Sequence, residues 1–385
     1  MSSKKKIVWL IKALILLLPF FFWPSPVKFE LAKVALFLLF SFLLIIFLLK
    51  EIWQGRIRDY FQTIDKVYFS WLVVLLLSTL INGDFTHLLA GGYRQQGVIF
   101  FFLLGIFALV VKKIKQKEIK SIFKLISFVL VIQSLIICGQ WLAIKLGASV
   151  LSYNQRPIGT LGEPNALAGF LVLGLPIISQ LPILLLVIGA IILTGSKGAI
   201  IALFGQLIVF LFLKKKKRLK KIFLIIPLLF LILIGMIGVY QERKESIFEN
   251  RWQIWNLGIE AVKKRPVFGY GAEGIVKVYE QEYRRINQPL EGVIIDRSHN
   301  LFLDISLFSG LLGLVFFLSW LWQLIQRMVE GRQWALIHLI GFLIFSFFQP
   351  IGVTHWFYLI VLSSFSYPLI TAKGESSTEI STKSS

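Results

Sequence analysis

Hydrophobic residues occur along this chain in long uninterrupted runs, separated by short polar connectors. The runs are roughly 15 to 25 residues long, and about 20 residues of helix cross the hydrocarbon core of a bilayer. Because a backbone in lipid must satisfy its own hydrogen bonds, the runs predict membrane-spanning helices. The pattern predicts about twelve of them, near residues 7–23, 31–49, 67–82, 97–111, 121–146, 166–179, 181–194, 198–213, 222–240, 299–325, 335–350 and 354–370.

The one long connector, residues 241–298, completes the predicted fold, an all-α integral membrane protein with one long extracytoplasmic loop containing short interfacial helices. In this loop Trp252, Trp255, Ile259 and Val262 recur at helical spacing opposite polar residues. That pattern is typical of an amphipathic helix lying in the membrane interface. We expect residues 1–370 to form a single polytopic domain and the Ser/Thr-rich residues 371–385 to form a disordered tail.

Composition supports a membrane protein, and the distribution of charge predicts its orientation in the membrane. Hydrophobic residues make up 57% of the 385-residue chain, which is more than a soluble domain usually carries. The net charge of +21 is concentrated in connectors such as KKIKQKEIK and KKKKRLKK. These lie on one predicted side of the membrane, with the N-terminus, so the positive-inside rule places both termini in the cytoplasm. We therefore interpret the basic runs as topology signals and contacts with membrane lipids, not as a nucleic-acid site.

Few residues suit redox, metal or transport chemistry. Cys138 is the only cysteine, which excludes an intramolecular disulfide and cysteine-based zinc sites. The predicted external loops contain only His87 and His299 and no clustered carboxylates, so we predict no metal site. Among the acidic residues only Asp304 lies well inside a predicted span, whereas coupled transporters usually need carboxylates near the middle of the membrane.

Two external connectors present cations next to predicted helix starts. The segment NQRPIGTLGEPN contains Arg156, and Asn165 is a candidate N-cap for the following helix. The segment TGSKGA places Lys197 at a helix N-terminus, where free N–H groups and the helix dipole favour an anion. Both segments also fit a purely structural role, as a loop fixed by Pro and Gly and as a lysine in a tight turn. The functional interpretation is that Arg156 binds phosphate in a bidentate manner.

The long loop contributes two further motifs. Arg251 is the first residue of a predicted helix, and the following RPVFGYGAEG satisfies G-x-G-x-x-G through Gly269, Gly271 and Gly274. Because no strand precedes it and no βαβ unit surrounds it, a dinucleotide site is excluded. A glycine-rich turn that lets the backbone approach a neighbouring segment is the better interpretation.

The loop closes with DRSHN at the start of the tenth predicted span. Ser298 or Asn300 is placed to cap that helix. His299 lies among external basic groups, and a neutral imidazole near pH 7 is a suitable proton acceptor. A hydrogen-bonded interfacial histidine without a catalytic role fits the sequence equally well.

Four segments together resemble a known family. In order along the chain they are RPIGTLGEPN, GSKGA, RWQIWNLG with RPVFGYG, and SHNLFLDISLFSGLLG. They resemble the O-antigen ligase and polymerase superfamily of bacterial envelope enzymes, over about residues 65–365. The resemblance implies a glycosyltransferase of the bacterial inner membrane, which moves a glycan from a polyprenyl-diphosphate carrier to an acceptor hydroxyl on the extracytoplasmic face. It implies no metal or nucleotide cofactor; the expected partners are the lipid-linked donor, a glycan or lipid acceptor, and membrane lipids.

The resemblance also implies roles for particular residues. Arg156 and Arg251 would contact the diphosphate, and His299 would act at the acceptor or the leaving group. Lys197 stands where the family often has arginine, which keeps the charge but loses the planar fork. Supporting roles are expected for Asn165, Asn300 and Asp304.

The sequence leaves several functions open. Ligase and polymerase differ in the acceptor, which no motif identifies. A lipid-linked glycan flippase or other envelope transporter is an alternative, although the spans lack carboxylates at their centres. A non-catalytic envelope scaffold or sensor is a third possibility, although no soluble cytoplasmic domain is evident to receive a signal.

Overall fold

The computed structural model describes residues 3–23, 29–53, 62–83, 85–86, 91–214, 247–288, 290, 294–330 and 333–365. The predicted span 222–240, His87 and the predicted tail 371–385 lie outside this part of the chain. Each predicted apolar run within it falls on a helix.

The helices are α1 (Ser3–Phe20), α2 (Phe29–Trp53), α3 (Thr63–Ile81), α4 (Val98–Val111), α5 (Gln116–Lys145), α6 (Pro164–Gly174), α7 (Leu181–Leu193), α8 (Lys197–Lys214), α9 (Ile247–Lys264), α10 (Ile275–Arg285), α11 (Leu301–Glu330), α12 (Gln333–Phe348) and α13 (Val353–Ser364). A short 3-10 turn, Leu175–Ile177, follows α6. Two short strands, β1 (Ser152–Tyr153) and β2 (Arg156–Pro157), pair in an antiparallel hairpin.

Among the residues that the structure describes, four helices are long and apolar enough to cross a membrane, through Phe29–Ile46, Thr63–Ile81, Lys117–Lys145 and Leu301–Val329. Shorter apolar helices, including α4, α7, α12 and α13, accompany them. Large apolar side chains point outward, among them Trp9, Phe42 and Trp322, as a lipid-facing surface requires. The chain is thus a helical, multi-pass membrane protein. The total of about twelve spans stays a prediction.

Aromatic side chains form the contact between the central helices. The Trp71 ring lies 5.2 Å from Phe101 and 5.3 Å from Phe317, measured between centroids. Trp356 of α13 lies 5.5 Å from Phe101 and 6.4 Å from Phe317. Edge-to-face and tilted pairs at these distances add specific geometry to the packing. They fix α3, α4, α11 and α13 against one another beneath the loops described below.

The hairpin of β1 and β2 is a departure from the predicted all-α fold. Asn154 and Gln155 connect the strands with φ values of 50° and 57°, as a type I′ turn requires at both central residues. Two-residue strands are too short to produce an alternating pattern in the sequence, so the hairpin left no signal there.

Helix α11 is interrupted at Gly310, where φ is 66° and ψ is −173°. The turn at residues 266–271 occupies this break through backbone hydrogen bonds. The Tyr270 N–H donates to the Leu307 carbonyl at 2.7 Å, and the Leu311 N–H donates to the Pro266 carbonyl at 2.7 Å. The predicted span near residues 299–325 therefore lies on an apolar helix with a kink at Gly310, where the glycine-rich turn replaces the helical hydrogen bonds.

Close approach of backbones explains the glycines of that turn. A Cβ on Gly269 would lie 2.5 Å from the Leu307 carbonyl oxygen, a distance that no side chain tolerates. Ser78 of α3 fixes the same junction: its hydroxyl donates to the Phe308 carbonyl at 2.7 Å and accepts from the Gly271 N–H at 2.9 Å. The prediction of a turn built for close backbone approach is confirmed.

Candidate functional site

The first two candidate cations lie beside the same turn. Strand β2 positions Arg156 so that its Nε donates to the Thr194 carbonyl at 2.7 Å. Its Nη2 donates to the Asn165 Oδ1 at 3.0 Å. Lys197 begins α8 three residues after Thr194. The segments RPIGTLGEPN and TGSKGA are therefore joined directly through the Arg156 guanidinium.

Glu163, not Asn165, is the N-cap of α6. Its carboxylate accepts from the Asn165 N–H at 3.0 Å and the Ala166 N–H at 2.6 Å. The predicted cap at Asn165 is wrong because Pro164 already occupies the first helical position, which suits proline. The Asn165 side-chain amide instead donates to Glu163 at 2.6 Å. Glu163 thus turns the Asn165 oxygen toward Arg156.

Helix α2 holds this loop from the side opposite Arg156. Lys33 is fully buried, and its ammonium donates to the carbonyls of Thr160 at 3.0 Å and Phe21 at 2.9 Å. Gln140 of α5 accepts from the Gly159 N–H at 2.8 Å. Buried polar groups satisfied in this way fix a unique loop conformation. No pattern in the sequence marks Lys33 for this role, because its partners are backbone carbonyls of other segments.

His299 lies immediately before α11, with a left-handed φ of 58°. Asn300 caps the helix, because its Oδ1 accepts from the Phe302 N–H at 3.0 Å and the Leu303 N–H at 3.2 Å. This is one of the two predicted caps. Left-handed backbone is uncommon for residues other than glycine, although histidine adopts it more often than most, and surrounding contacts hold a residue in it.

Asp304 supplies one of those contacts, although it does not contact His299. Its Oδ1 accepts from the Ser298 N–H at 2.8 Å and from the Ser298 hydroxyl at 2.6 Å. The indole N–H of Trp255 donates to the Ser298 carbonyl at 2.9 Å. The N–H, carbonyl and hydroxyl of Ser298 are thus all hydrogen-bonded. This fixes the backbone next to His299 and orients its imidazole.

The environment of His299 favours its neutral form. Burial lowers the pKa of His299 to about 4, and the positive charge of Arg251 acts in the same direction. Its Nδ1 is buried and makes no hydrogen bond to any residue in the described part of the chain. A buried polar atom without a partner is uncommon in a native protein, and a catalytic role is one of the explanations for such an atom. A neutral imidazole with a ring nitrogen available is the protonation state that a general base needs.

A buried network that the sequence did not reveal surrounds this histidine. Arg297 donates through Nη2 to the Glu273 Oε1 at 2.6 Å and to the Gln96 Oε1 at 3.1 Å. The side chains of Arg297 and Glu273 are only 4% and 1% exposed, so the ion pair is fully removed from water. Arg94 forms a second ion pair, with Asp296. These partners come from distant loops, so no local spacing in the sequence links them.

The two groups of candidate residues meet at the end of α12. Trp255, four residues after Arg251, packs its ring 5.7 Å from Phe347. Gly198, next to Lys197, lies against the following residues, since a Cβ there would be 3.2 Å from the Gln349 side chain. The helical turn that follows Arg251 and the residue that follows Lys197 therefore both lie against the end of α12.

Comparison with known proteins bears on this arrangement. A model of the O-antigen ligase family matches residues 182–318. No curated protein matches the chain. The matched segment contains Lys197, Arg251 and His299, whereas Arg94 and Arg156 precede it. The match over residues 182–318 confirms the resemblance of this multi-pass membrane protein to the O-antigen ligase and polymerase superfamily.

Proposed function

We propose that the protein transfers a glycan from a polyprenyl-diphosphate carrier to an acceptor hydroxyl on the extracytoplasmic face of the bacterial inner membrane. The match of residues 182–318 to the O-antigen ligase family supports a glycosyltransferase. The observation that carries the proposal is His299, a neutral imidazole with a buried, unpartnered Nδ1 and a guanidinium close by. Base and cation are the two components that this transfer requires.

The reaction is a displacement at the anomeric carbon of the donor sugar. The acceptor oxygen forms a bond to that carbon while the bond from carbon to the phosphate oxygen breaks, and both bonding electrons leave with the diphosphate. His299 takes the proton from the acceptor hydroxyl and carries it as imidazolium. The polyprenyl diphosphate leaves with one more negative charge than it had in the donor, so fixed cations stabilise it. Attack opposite to the leaving group inverts the anomeric configuration.

Arg156, Lys197 and Arg251 are the proposed diphosphate-binding residues. Arg156 is held by Thr194 and Asn165, so its plane is already oriented before substrate arrives. Preorganised donors stabilise developing charge without a cost of rearrangement during the reaction. Lys197 lies at the start of α8, where the helix dipole also favours negative charge. Asn165 positions Arg156, whereas Asn300 and Asp304 position the segment that carries His299.

Substitution of His299 is the direct test. His299→Ala protein reconstituted with a lipid-linked glycan donor should transfer about 10²- to 10⁴-fold more slowly, since that is the usual contribution of a general base. Donor binding should change little, because the alanine protein keeps every proposed phosphate ligand. Arg284→Gln, an exposed change in the same external loop, is the matched control and should behave like the wild type.

Two results would contradict the proposal. One is normal turnover by His299→Ala, and the other is a loss of activity explained entirely by disappearance of the protein from the membrane. The flippase alternative is tested in a deletion strain: lipid-linked glycan should still reach the outer leaflet, while its transfer to acceptor is lost. Activity should also persist in a chelator and without added nucleotide.

A further inference from the structure

Arg94 lies in a short loop, residues 91–97, whose position is fixed by one buried carboxylate. The Glu273 Oε2 accepts from the Arg94 N–H at 3.2 Å, and its Oε1 accepts from the Gln96 N–H at 3.1 Å. Gly92 packs against the same side chain, where a Cβ would lie 3.1 Å from the Glu273 Cβ. The loop therefore has little freedom to move, and the backbone position of Arg94 is fixed.

The side chain of Arg94 is anchored at only one of its three nitrogens. Its Nε pairs with Asp296, and both side chains are mostly buried, at 21% and 14% exposure. The Nη1 and Nη2 atoms make no hydrogen bond to any residue that the structure describes. A guanidinium has five N–H donors. The four on the terminal nitrogens are thus held in place and available to a ligand.

The anchor ties Arg94 to the segment that carries His299. Asp296 is three residues before His299, in the segment that Arg297 and Ser298 fix to the rest of the protein. Burial would raise the pKa of Asp296, but Arg94 and Arg297 hold it below its usual value. The positive charge of Arg94, like that of Arg251, acts to lower the pKa of His299. The two guanidinium groups, from separate elements, therefore act electrostatically on one imidazole.

We propose that Arg94 is a further phosphate-binding residue of the donor site, with Nη1 and Nη2 contacting diphosphate oxygens while Asp296 fixes Nε. The inference rests on the proposed function. A terminal guanidinium edge fits phosphate oxygens through two parallel hydrogen bonds, which a lysine cannot reproduce. The many oxygen acceptors of a diphosphate would also accept hydrogen bonds from the remaining N–H donors of the partly desolvated Arg94 guanidinium. Asp296 is a positioning residue, because it acts on the ligand only through Arg94.

The test measures binding of polyprenyl diphosphate, without a glycan, to purified protein in lipid nanodiscs. Arg94→Lys keeps the charge and an ion pair with Asp296, and we expect its Kd to rise about tenfold, as the loss of a charged hydrogen bond predicts. Asp296→Asn keeps the guanidinium but removes its charged anchor, and we expect a rise of several-fold. Arg284→Lys, an exposed arginine of the same external region, is the matched control. The KM for the acceptor should be unchanged in all three.

The outcomes separate this inference from the proposed function. If the wild type does not bind polyprenyl diphosphate, both are wrong. If the wild type binds it and Arg94→Lys binds equally well, only the role of Arg94 is wrong. If Arg94→Lys does not fold, Asp296→Asn decides: an unchanged Kd overturns the inference, and a raised Kd with a wild-type melting temperature supports it.

Discussion

The pH dependence of transfer distinguishes the observed environment of His299 from an ordinary one. A histidine with its usual pKa of 6.5 loses its capacity as a base below that pH, whereas burial and Arg251 lower the pKa of His299 to about 4. The ratio kcat/KM reports the ionisation of the free enzyme. We therefore expect kcat/KM to stay level from neutral pH down to about pH 5 and to fall only as pH approaches about 4.

The expected difference is large at pH 5.5. An imidazole with a pKa of 6.5 would be about 9% neutral there, whereas one with a pKa of about 4 would be about 97% neutral. The two cases differ by about tenfold in the amount of active base. Protonation also opposes folding in this range, because the unfolded chain binds the proton between pH 6.5 and about 4 more readily than the folded protein does.

The assay follows initial rates of transfer in nanodiscs with donor below its KM, at constant ionic strength. Melting temperatures at each pH separate loss of base from loss of fold. Arg251→Gln removes a positive charge from beside the imidazole, so the fall in its pH profile should move to higher pH, although its maximum rate is lower. A wild-type profile that falls near pH 6.5 would refute the reasoning, as would an Arg251→Gln profile shifted to lower pH.

Two further predictions concern stability. Gly310→Ala should lower the melting temperature and reduce transfer. The backbone conformation at Gly310 is essentially restricted to glycine and costs other residues about 1–3 kcal/mol, and a Cβ there would collide with the Val267 carbonyl. Gly189→Ala, with nothing within 4 Å of the added atom, is the control, and equal melting temperatures for the two variants would contradict this explanation. Glu273→Gln should destabilise the protein by about 3 kcal/mol, because buried Arg297 loses its closer carboxylate, at 2.6 Å, and keeps only Asp304, at 4.0 Å. Glu260→Gln, at an exposed pair with Lys263, should leave thermal unfolding unchanged. Similar melting curves for the two variants would argue against a structural role for Glu273.

The helices were predictable because the bilayer imposes a simple requirement on sequence. Lipid excludes water from the backbone, so a span must be a long apolar run, and such runs are visible without knowledge of tertiary contacts. The same rule could not distinguish Gly310 from Gly313, which lie in one apolar segment. Gly310 adopts a φ of 66° and breaks the helix, whereas Gly313 stays helical and packs beside Ser309 and Trp71. The difference depends on the turn at residues 266–271, which is distant in sequence.

The candidate site was predictable only where one motif carried its own signal. Arg156, Lys197, Arg251 and His299 each belong to a short segment with a recognisable pattern. The pairs that hold the site together are formed across the chain, as between Arg94 and Asp296, which are 202 residues apart. A single sequence gives no indication of such pairing, because nothing in the composition of either loop requires the other.

The break in α11 has a consequence for biogenesis. The backbone groups that lose their helical partners at the break form hydrogen bonds with residues 266–271 and with Ser78 of α3. Both segments leave the ribosome before Leu307–Leu311 does. When α11 enters the membrane, the segments that hydrogen-bond to its break are already synthesised. The backbone groups at the break can therefore be hydrogen-bonded as soon as they enter lipid. A circular permutation that placed α11 ahead of residues 266–271 would reverse this order and leave the break open during insertion.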